Sequence, residues 1–215
     1  YTIRLRAIFN HYPPKLEADF KLKALSWANQ FDVCCLLDSH QYQDPYGQYD
    51  WILAADQEEY IVASDSDFFN DLSIFQSKNP NYLFGFFGYD LKNQTEDLSS
   101  KNTDNLAFPD GYFFKPKYLI ASINNKIEIL INKSNRNIVS EISEYQSPST
   151  VDSSLLTIKS RLAREQYLER VNSLKQHIAR GDVYEITFCQ EFFSEKAQIA
   201  PVEIYSKLSQ VSPVP

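Results

Sequence analysis

Three histidines, His11, His40 and His177, are the side chains of this sequence that could move protons near neutral pH. None of them lies in an HExxH pattern or in another metal-ligand spacing, and no GxSxG motif offers a nucleophilic serine. His177 falls in the middle of a predicted helix, beside its apolar stripe, where we expect a surface or half-packed side chain. The histidines therefore predict neither a hydrolytic centre nor a metal centre.

The cysteines and two glycines indicate packing rather than chemistry. Cys34 and Cys35 are adjacent, so in a strand they point to opposite faces and cannot form a paired ligand set. Together with Cys189 they predict reduced thiols in a cytoplasmic protein, because there is no CxxC pattern. Gly85 and Gly88 lack the lysine and the glycine spacing of a phosphate loop. We interpret them as glycines that allow a bulge or close packing within a strand.

Two polar positions remain as candidates. Ser39 follows an apolar run, and a rigid strand can deliver such a hydroxyl to a cleft. Gly181 follows a predicted helix and suits a left-handed C-terminal cap. Asp182 is poorly placed against the negative end of that helix, so we predict an Asx-type bond from its side chain to the backbone. These residues alone define no reaction.

The composition excludes several classes of function. The sequence has 215 residues, a net charge of −7 and no cluster of Lys and Arg, so we expect no nucleic-acid partner. No apolar run is long enough to span a bilayer, and residues 1–9 alternate like a strand rather than like a signal peptide. Methionine is absent, from which we expect a processed or trimmed chain. The composition thus predicts a soluble cytoplasmic protein.

The elements that would position these residues alternate irregularly between strands and helices. Short apolar or alternating runs between turn residues predict strands, and apolar residues at helical spacing predict helices. The predicted strands are 2–9, 32–37, 49–55, 59–64, 81–90, 117–123, 126–132 and about 183–193. The predicted helices are 15–30, 67–76, 136–145, a segment through Tyr167, Val171, Leu174 and Ile178, and about 201–209. Asn124-Asn125 predicts a two-residue hairpin. The pattern predicts an α+β fold with mostly antiparallel β-sheets packed with helices.

A Ser-rich stretch within 146–157 is the best candidate for a linker. We therefore predict an N-terminal subdomain over 1–147, a linker over 148–159 and a second domain that begins in 160–215.

Five segments in collinear order resemble the chorismate-utilising enzymes, the family that includes component I of anthranilate synthase and of aminodeoxychorismate synthase. The most specific is 167–193, with Gly181-Asp182 after its helix and a strand ending in Gln-x-Phe; the family usually has Gln where this chain has Glu185. The other four are Leu36–Ser39 with Asp44–Asp50, Gly85–Leu91 with Glu96 and Leu98, Pro109–Tyr118, and Tyr205 with Leu208 and Ser212-Pro213.

The resemblance implies an anthranilate synthase component I-like fold and a tryptophan-binding pocket in the N-terminal subdomain. In this family the pocket lies between a Leu-Leu-Glu-Ser strand and a Ser-Pro segment. The family often has Arg where this chain has Gln48, so the loss of that cation predicts altered anion binding. The implied pocket residues are Leu37, Ser39, Tyr46, Gln48, Tyr49, Ser212 and Pro213.

The resemblance also implies a reaction that this chain alone does not complete. Aminodeoxychorismate synthases replace the C4 hydroxyl of chorismate with ammonia, in para-aminobenzoate and folate synthesis. A glutamine amidotransferase partner supplies the ammonia, and Mg²⁺ neutralises the chorismate carboxylate. The metal-binding carboxylates and the catalytic lysine lie beyond the segment that matches Ser212-Pro213, so we assign no catalytic or metal residue here. The Pro45-Tyr46 and Tyr49-Asp50 pairs look more like aminodeoxychorismate synthase than anthranilate synthase.

Three alternatives stay open. Component I of anthranilate synthase shares the fold and the substrate but releases pyruvate. A non-catalytic domain that senses an amino acid or docks a partner would need only the pocket. An unrelated α+β domain would match the five segments by chance.

Overall fold

A computed structural model describes residues 17–42, 45–64, 67–99, 104–146, 156–195 and 197–214. Contacts divide this part of the chain into two compact units, with divisions at 148/149 and 204/205. Unit 1 holds the described residues before 148/149 and those from Tyr205 onwards, and unit 2 holds those between. Residues 205–214 are thus grouped with unit 1, although we expected them to share a domain with 160–204. The predicted strand 2–9, His11 and most of the predicted linker lie outside the described residues.

Unit 1 contains a five-stranded antiparallel sheet. Its strands are β1 (Cys34–Asp38), β2 (Trp51–Val62), β3 (Phe84–Phe87), β4 (Gly111–Ser122) and β5 (Ile127–Asn132). β4 is central, because β2 pairs along one of its edges while β3 and β5 share the other. β1 pairs with β2 so that Asp38, its last residue, lies opposite Trp51, the first residue of β2. The end of β1 therefore lies beside the start of β2. The polar candidate Ser39 is the first residue after β1.

A β-bulge interrupts β2 where we predicted two separate strands, 49–55 and 59–64. The register shifts between Gln57 and Glu59, and Asp56 has a φ of 56°. The Asp56 amide donates to the carbonyl of Val33 at 3.0 Å, and its carboxylate binds Lys117 at 2.9 Å. The predicted break is wrong because the bulge takes up the irregularity without ending the pairing with β4.

The hairpin predicted at Asn124-Asn125 is confirmed. Both residues have positive φ, 51° and 57°, which is what a tight two-residue hairpin loop requires. Ile123 and Lys126 exchange backbone hydrogen bonds of 2.9 and 3.1 Å. The loop therefore joins β4 directly to β5.

Unit 1 also contains the helices α1 (Glu17–Ala28), α2 (Phe68–Lys78) and α3 (Ile138–Glu144). The Asp67 carboxylate caps α2 by accepting from the amide of Asn70 at 3.1 Å. Trp27 of α1 packs edge-on against Tyr118 of β4, with ring centroids 5.4 Å apart. The apolar residues of α1 thus cover one face of the sheet near its centre.

The close-packing interpretation is confirmed for Gly85 in β3, and Gly88, directly after that strand, is closely packed as well. A Cβ at Gly85 would stand 2.0 Å from the carbonyl oxygen of Tyr112, and one at Gly88 would stand 2.7 Å from that of Asp110. The strand predicted over 81–90 is shorter, because a 3₁₀ helix, Tyr89–Gln94, follows β3.

Unit 2 contains α4 (Arg164–Arg180) and a two-stranded sheet of β6 (Lys159–Ser160) and β7 (Phe192–Phe193). Gly181 ends α4 with a φ of 81°, as predicted. The strand predicted over about 183–193 is wrong except for its last two residues. Backbone groups of a strand need a partner, and among the described residues the strand pairing of this segment with β6 is confined to 192 and 193, beside one bond from the Arg161 amide to the Glu191 carbonyl at 2.9 Å.

The Asx-type bond predicted for Asp182 is also wrong. Its carboxylate instead accepts from Arg180 at 2.8 Å and lies 2.8 Å from Nδ1 of His177. Gly181 turns the chain back at the end of α4, so Asp182 meets basic side chains of the last helical turn and not a free backbone N–H. His177 is about half exposed, as expected for a surface position.

The helix predicted from Pro201 is confirmed as α5 (Pro201–Val211). Proline suits the first turn of a helix because its missing N–H would have no partner there. The division at 204/205 falls within α5, and the residues from Tyr205 onwards belong to unit 1. None of the helices in the described ranges has the length and apolarity needed to cross a membrane.

Candidate functional site

A cleft of about 720 Å³ opens in unit 1 where β1 ends. Its lining comes from β1, the start of β2, the described part of the loop between them, the hairpin after β4, Tyr205 of α5 and Val214. Its lining residues are Leu36, Leu37, Asp38, Ser39, His40, Gln41, Tyr42, Gly47, Gln48, Tyr49, Asp50, Ile52, Asn124, Tyr205 and Val214.

The structure brings four of the seven predicted pocket residues to this cleft: Leu37, Ser39, Gln48 and Tyr49. Tyr46 is 90% exposed and is not among the lining residues. Ser212 and Pro213 do not line the cleft either, although the next residue, Val214, does. The assignment of these seven residues to a ligand site stays a prediction.

The carboxylate of Asp38 joins three elements beside the cleft. It accepts from Lys21 of α1 at 2.5 Å, from the phenol of Tyr205 of α5 at 2.5 Å and from the backbone amide of His40 at 3.0 Å. Its side chain is only 5% exposed. A carboxylate this buried needs such partners, because an uncompensated charge is costly away from water.

The two hydrogen-bonded groups shift one another's pKa in opposite directions. Burial by itself would raise the pKa of Asp38, but the hydrogen bonds from Lys21 and Tyr205 outweigh it and lower that pKa. Burial and the bond to Asp38 raise the pKa of Tyr205 to about 12. The pair therefore persists as carboxylate and neutral phenol at physiological pH.

Ser39 and Asp50 fix the loop that forms the cleft wall. The Ser39 hydroxyl donates to the carbonyl of Asp50 at 2.8 Å. The Asp50 carboxylate accepts from the hydroxyl of Ser122 and from the amide of Asn125, both at 2.8 Å. Ser39 is a ligand candidate from the sequence. In the structure its hydroxyl proton is engaged in the hydrogen bond that joins the two ends of the loop.

Tyr49 reaches from this wall to Tyr82, with the two phenol oxygens 2.9 Å apart. Burial first, and then the bond to Tyr82, raise the pKa of Tyr49 to about 12. Tyr49 therefore lines the cleft as a neutral aromatic side chain.

Sequence reasoning did not single out Asp38, Lys21 or His40 as site residues. The signal for Asp38 was present, because a carboxylate that ends an apolar strand must find a partner. The signal for Tyr205 was its place in the last of the five family-like segments. Nothing in the sequence indicates that Lys21, on a helix, would be the partner of Asp38.

Metal and thiol chemistry find no support in the described part of the chain. It contains no group of three or more His, Cys, Asp or Glu side chains that could hold a metal ion. Burial raises the pKa of the Cys34 and Cys35 thiols, so both are held in the protonated form.

The family model of the chorismate binding enzymes matches residues 32–215. The match covers most of the chain, and the chain belongs to that family.

Two curated relatives carry related names. Anthranilate synthase component 1 of Acetivibrio thermocellus is 26% identical over 61% of this chain and 31% of the relative. An anthranilate synthase component I-like protein of Synechocystis sp. (strain ATCC 27184 / PCC 6803 / Kazusa) is 24% identical over 61% of this chain and 28% of the relative. The matched part of the chain thus spans about a third or less of these relatives.

A solved structure, anthranilate synthase component I from Streptococcus pneumoniae TIGR4, matches with a TM-score of 0.61 and 20% identity. The match covers 80% of this chain and 47% of that one. The predicted class, α+β with mostly antiparallel sheet, is confirmed.

Proposed function

We propose that this chain is part of component I of an aminodeoxychorismate synthase. Chorismate as substrate follows from the family to which residues 32–215 belong. The observation that carries the finer assignment is the segment Asp44–Asp50, whose Pro45-Tyr46 and Tyr49-Asp50 pairs look more like that enzyme than like anthranilate synthase.

The contacts of Tyr49 and Asp50 support the use of this segment as evidence for the assignment. The phenol of Tyr49 is hydrogen-bonded to that of Tyr82. The Asp50 carboxylate accepts hydrogen bonds from the hydroxyl of Ser122 and from the backbone amide of Asn125. Both residues also line the cleft. Both residues are therefore held in place by several contacts. Such contacts are expected when a segment has an inherited structural role and not when its match arose by chance, which argues against an unrelated α+β domain.

In the proposed reaction ammonia takes the place of the C4 hydroxyl of chorismate, and the hydroxyl leaves as water. A glutamine amidotransferase partner would supply the ammonia, and Mg²⁺ would neutralise the substrate carboxylate. The described residues do not fit the metal, because they contain no suitable cluster of ligands. On the family resemblance we place the metal-binding and catalytic groups beyond the segment that matches Ser212-Pro213, and we assign none of the residues of this chain to a chemical step.

The second candidate is component I of anthranilate synthase. The names of the two curated relatives favour it. It would use the same substrate and the same kind of partner, but its product would form with release of pyruvate.

The experiment is to supply the full-length protein that contains this chain with chorismate, ammonium ion and Mg²⁺. Products are separated by chromatography and identified by mass, and pyruvate is measured in a coupled assay. We expect 4-amino-4-deoxychorismate without pyruvate. Anthranilate together with pyruvate would replace the proposal by the second candidate. No turnover of chorismate would favour a non-catalytic binding or docking protein.

A further inference from the structure

One ring nitrogen at the end of α4 has two partners that it cannot satisfy in the same protonation state. Nδ1 of His177 lies 2.8 Å from the carboxylate oxygen Oδ2 of Asp182 and 2.9 Å from Nη2 of Arg180. A ring nitrogen carries either a proton, which it donates, or a lone pair, which accepts a proton. A carboxylate accepts and a guanidinium donates. The proton on His177 therefore decides which of the two contacts is a hydrogen bond.

Arg180 and Asp182 stay paired in both states of the ring. Nε and Nη2 of Arg180 lie 3.2 and 2.8 Å from Oδ2 of Asp182. Arg180 comes from the last turn of α4, and Asp182 follows the Gly181 cap, so charged groups from both sides of the turn face the ring. The side chains of His177 and Asp182 are 47% and 46% exposed, so protons from solvent reach the ring.

The backbone of the same turn is bonded to the carbonyl of His177. The Asp182 amide donates to that carbonyl at 3.0 Å, and the Gly181 amide donates to the carbonyl of Ile178 at 3.0 Å. A proton on His177 places a positive charge beside the negative end of α4. It also gives the Asp182 carboxylate a second charged donor. The protonated ring should therefore tighten the last turn and hold the start of the segment that leads to β7.

We propose that His177 is a pH-dependent switch that fixes the end of α4 to Asp182. The neutral ring accepts from Nη2 of Arg180, which also donates to Asp182. The protonated ring donates to Asp182, and Nη2 of Arg180 moves away from the ring while Nε keeps its contact. All three residues lie in unit 2, and the inference does not rest on the assignment to chorismate amination.

The first experiment determines which ring nitrogen carries the proton, from the nitrogen-15 spectrum of the 215-residue chain. The chain has three histidines, and the His177 signals are identified by their loss in His177→Gln. We expect a proton on Nε2 alone at about pH 8.5 and on both nitrogens at about pH 5, the range over which histidines titrate. In Arg180→Met the donor to Nδ1 is gone, so the neutral ring should carry its proton on Nδ1 and donate to Asp182. Arg164→Met, in the exposed first turn of α4, is the control and should keep the wild-type tautomer.

The second experiment measures the effect of the switch on the backbone. Hydrogen exchange of the Asp182 amide is followed at both pH values and corrected for the intrinsic pH dependence of exchange. Protection in the wild type should rise about threefold on acidification, the size of a charge effect at an exposed helix end. In His177→Gln it should not change. A proton on Nδ1 of the neutral wild-type ring, the wild-type tautomer in Arg180→Met, or equal protection at the two pH values would overturn the proposal.

Discussion

The phenol of Tyr205 donates a 2.5 Å hydrogen bond to the carboxylate of Asp38, although the two residues are 167 positions apart in sequence. The ammonium of Lys21 meets the same carboxylate oxygen at 2.5 Å. The buried carboxylate of Asp38 therefore links the end of β1 to α1 through Lys21 and to α5 through Tyr205. This shared charge fixes the wall of the cleft to which Tyr205 contributes.

The variant Tyr205→Phe removes the phenol and keeps the ring. It leaves Asp38 with one donor fewer, and a hydrogen bond to a buried charge contributes about 2 kcal/mol. We expect the free energy of unfolding to fall by about that amount, measured by urea denaturation. Trp27 and Trp51, the two tryptophans of the sequence, are both buried in unit 1 and report the transition by fluorescence.

The control is Tyr184→Phe, because Tyr184 is 94% exposed. Its denaturation midpoint should match that of the wild type. If Tyr205→Phe is as stable as this control, the contact with Asp38 does not stabilise unit 1.

The stabilisation by Asp38 should depend on pH in a defined direction. Its folded-state pKa is lowered, because the bonds from Lys21 and Tyr205 outweigh the effect of burial. The stabilisation is therefore present above the unfolded-state pKa of about 3.9 and is lost as the pH falls through the lower, folded-state pKa. We expect the free energy of unfolding to decrease with acidification below about pH 4 through this group.

Lys21→Met isolates this effect, because it removes the ammonium and keeps most of the side-chain length. The variant should be destabilised by about 2 kcal/mol at pH 7, and the difference from wild type should shrink below pH about 4 as Asp38 takes up a proton. Denaturation curves between pH 7 and pH 3 measure it. Lys126→Met, at an exposed hairpin position, should show no such pH-dependent difference. A constant difference for Lys21→Met at all pH values would contradict the prediction.

Gly85→Ala should destabilise unit 1 more than Gly181→Ala destabilises unit 2. The new Cβ at Gly85 meets the backbone of β4, 2.0 Å from an oxygen of Tyr112, so β3 must move away and lose pairing. We expect a loss of about 3 kcal/mol, the upper range for overpacking. At Gly181 no atom lies within 4 Å, and only the positive φ of 81° opposes a side chain, at about 1 kcal/mol.

Denaturation monitored by tryptophan fluorescence reports the first variant, and circular dichroism of the helical signal reports the second. Equal losses for the two substitutions would show that close approach to β4 is not what requires glycine at position 85.

The 215-residue chain by itself should not aminate chorismate. We place the catalytic lysine and the metal-binding carboxylates outside it, and the described residues contain no metal-ligand cluster. Incubation with chorismate, ammonium ion and Mg²⁺, followed by product analysis, should show no aminodeoxychorismate above a blank without protein. The full-length protein under the same conditions is the positive control. Turnover by the chain alone would place catalytic groups within it.

The parts of the site that could be predicted are those carried by short segments. Ser39 follows from its place after the apolar run that becomes β1, whereas Leu37, Gln48 and Tyr49 follow from the family resemblance of the segments that carry them. Tyr46 lies in the same loop but outside the lining, because the loop conformation and not the sequence spacing decides which side chain turns inwards.

By itself, the sequence determined the features whose forces act between near neighbours. Gly181 ends a helix because its own φ is positive, and Asn124-Asn125 turns a hairpin for the same local reason. The alternation of apolar residues likewise determined the α+β class, since burial of one face depends on the period of the pattern.

Only the tertiary structure decided which distant groups share a charge and which extended segments find partners. Asp38 meets Tyr205 and Lys21 because the sheet brings the ends of three elements together, and no local pattern encodes that meeting. Residues 183–191 have the composition of a strand, yet strand formation depends on a partner for the backbone groups. Interactions between distant residues depend on the folded arrangement, which is why these features could not be read from spacing alone.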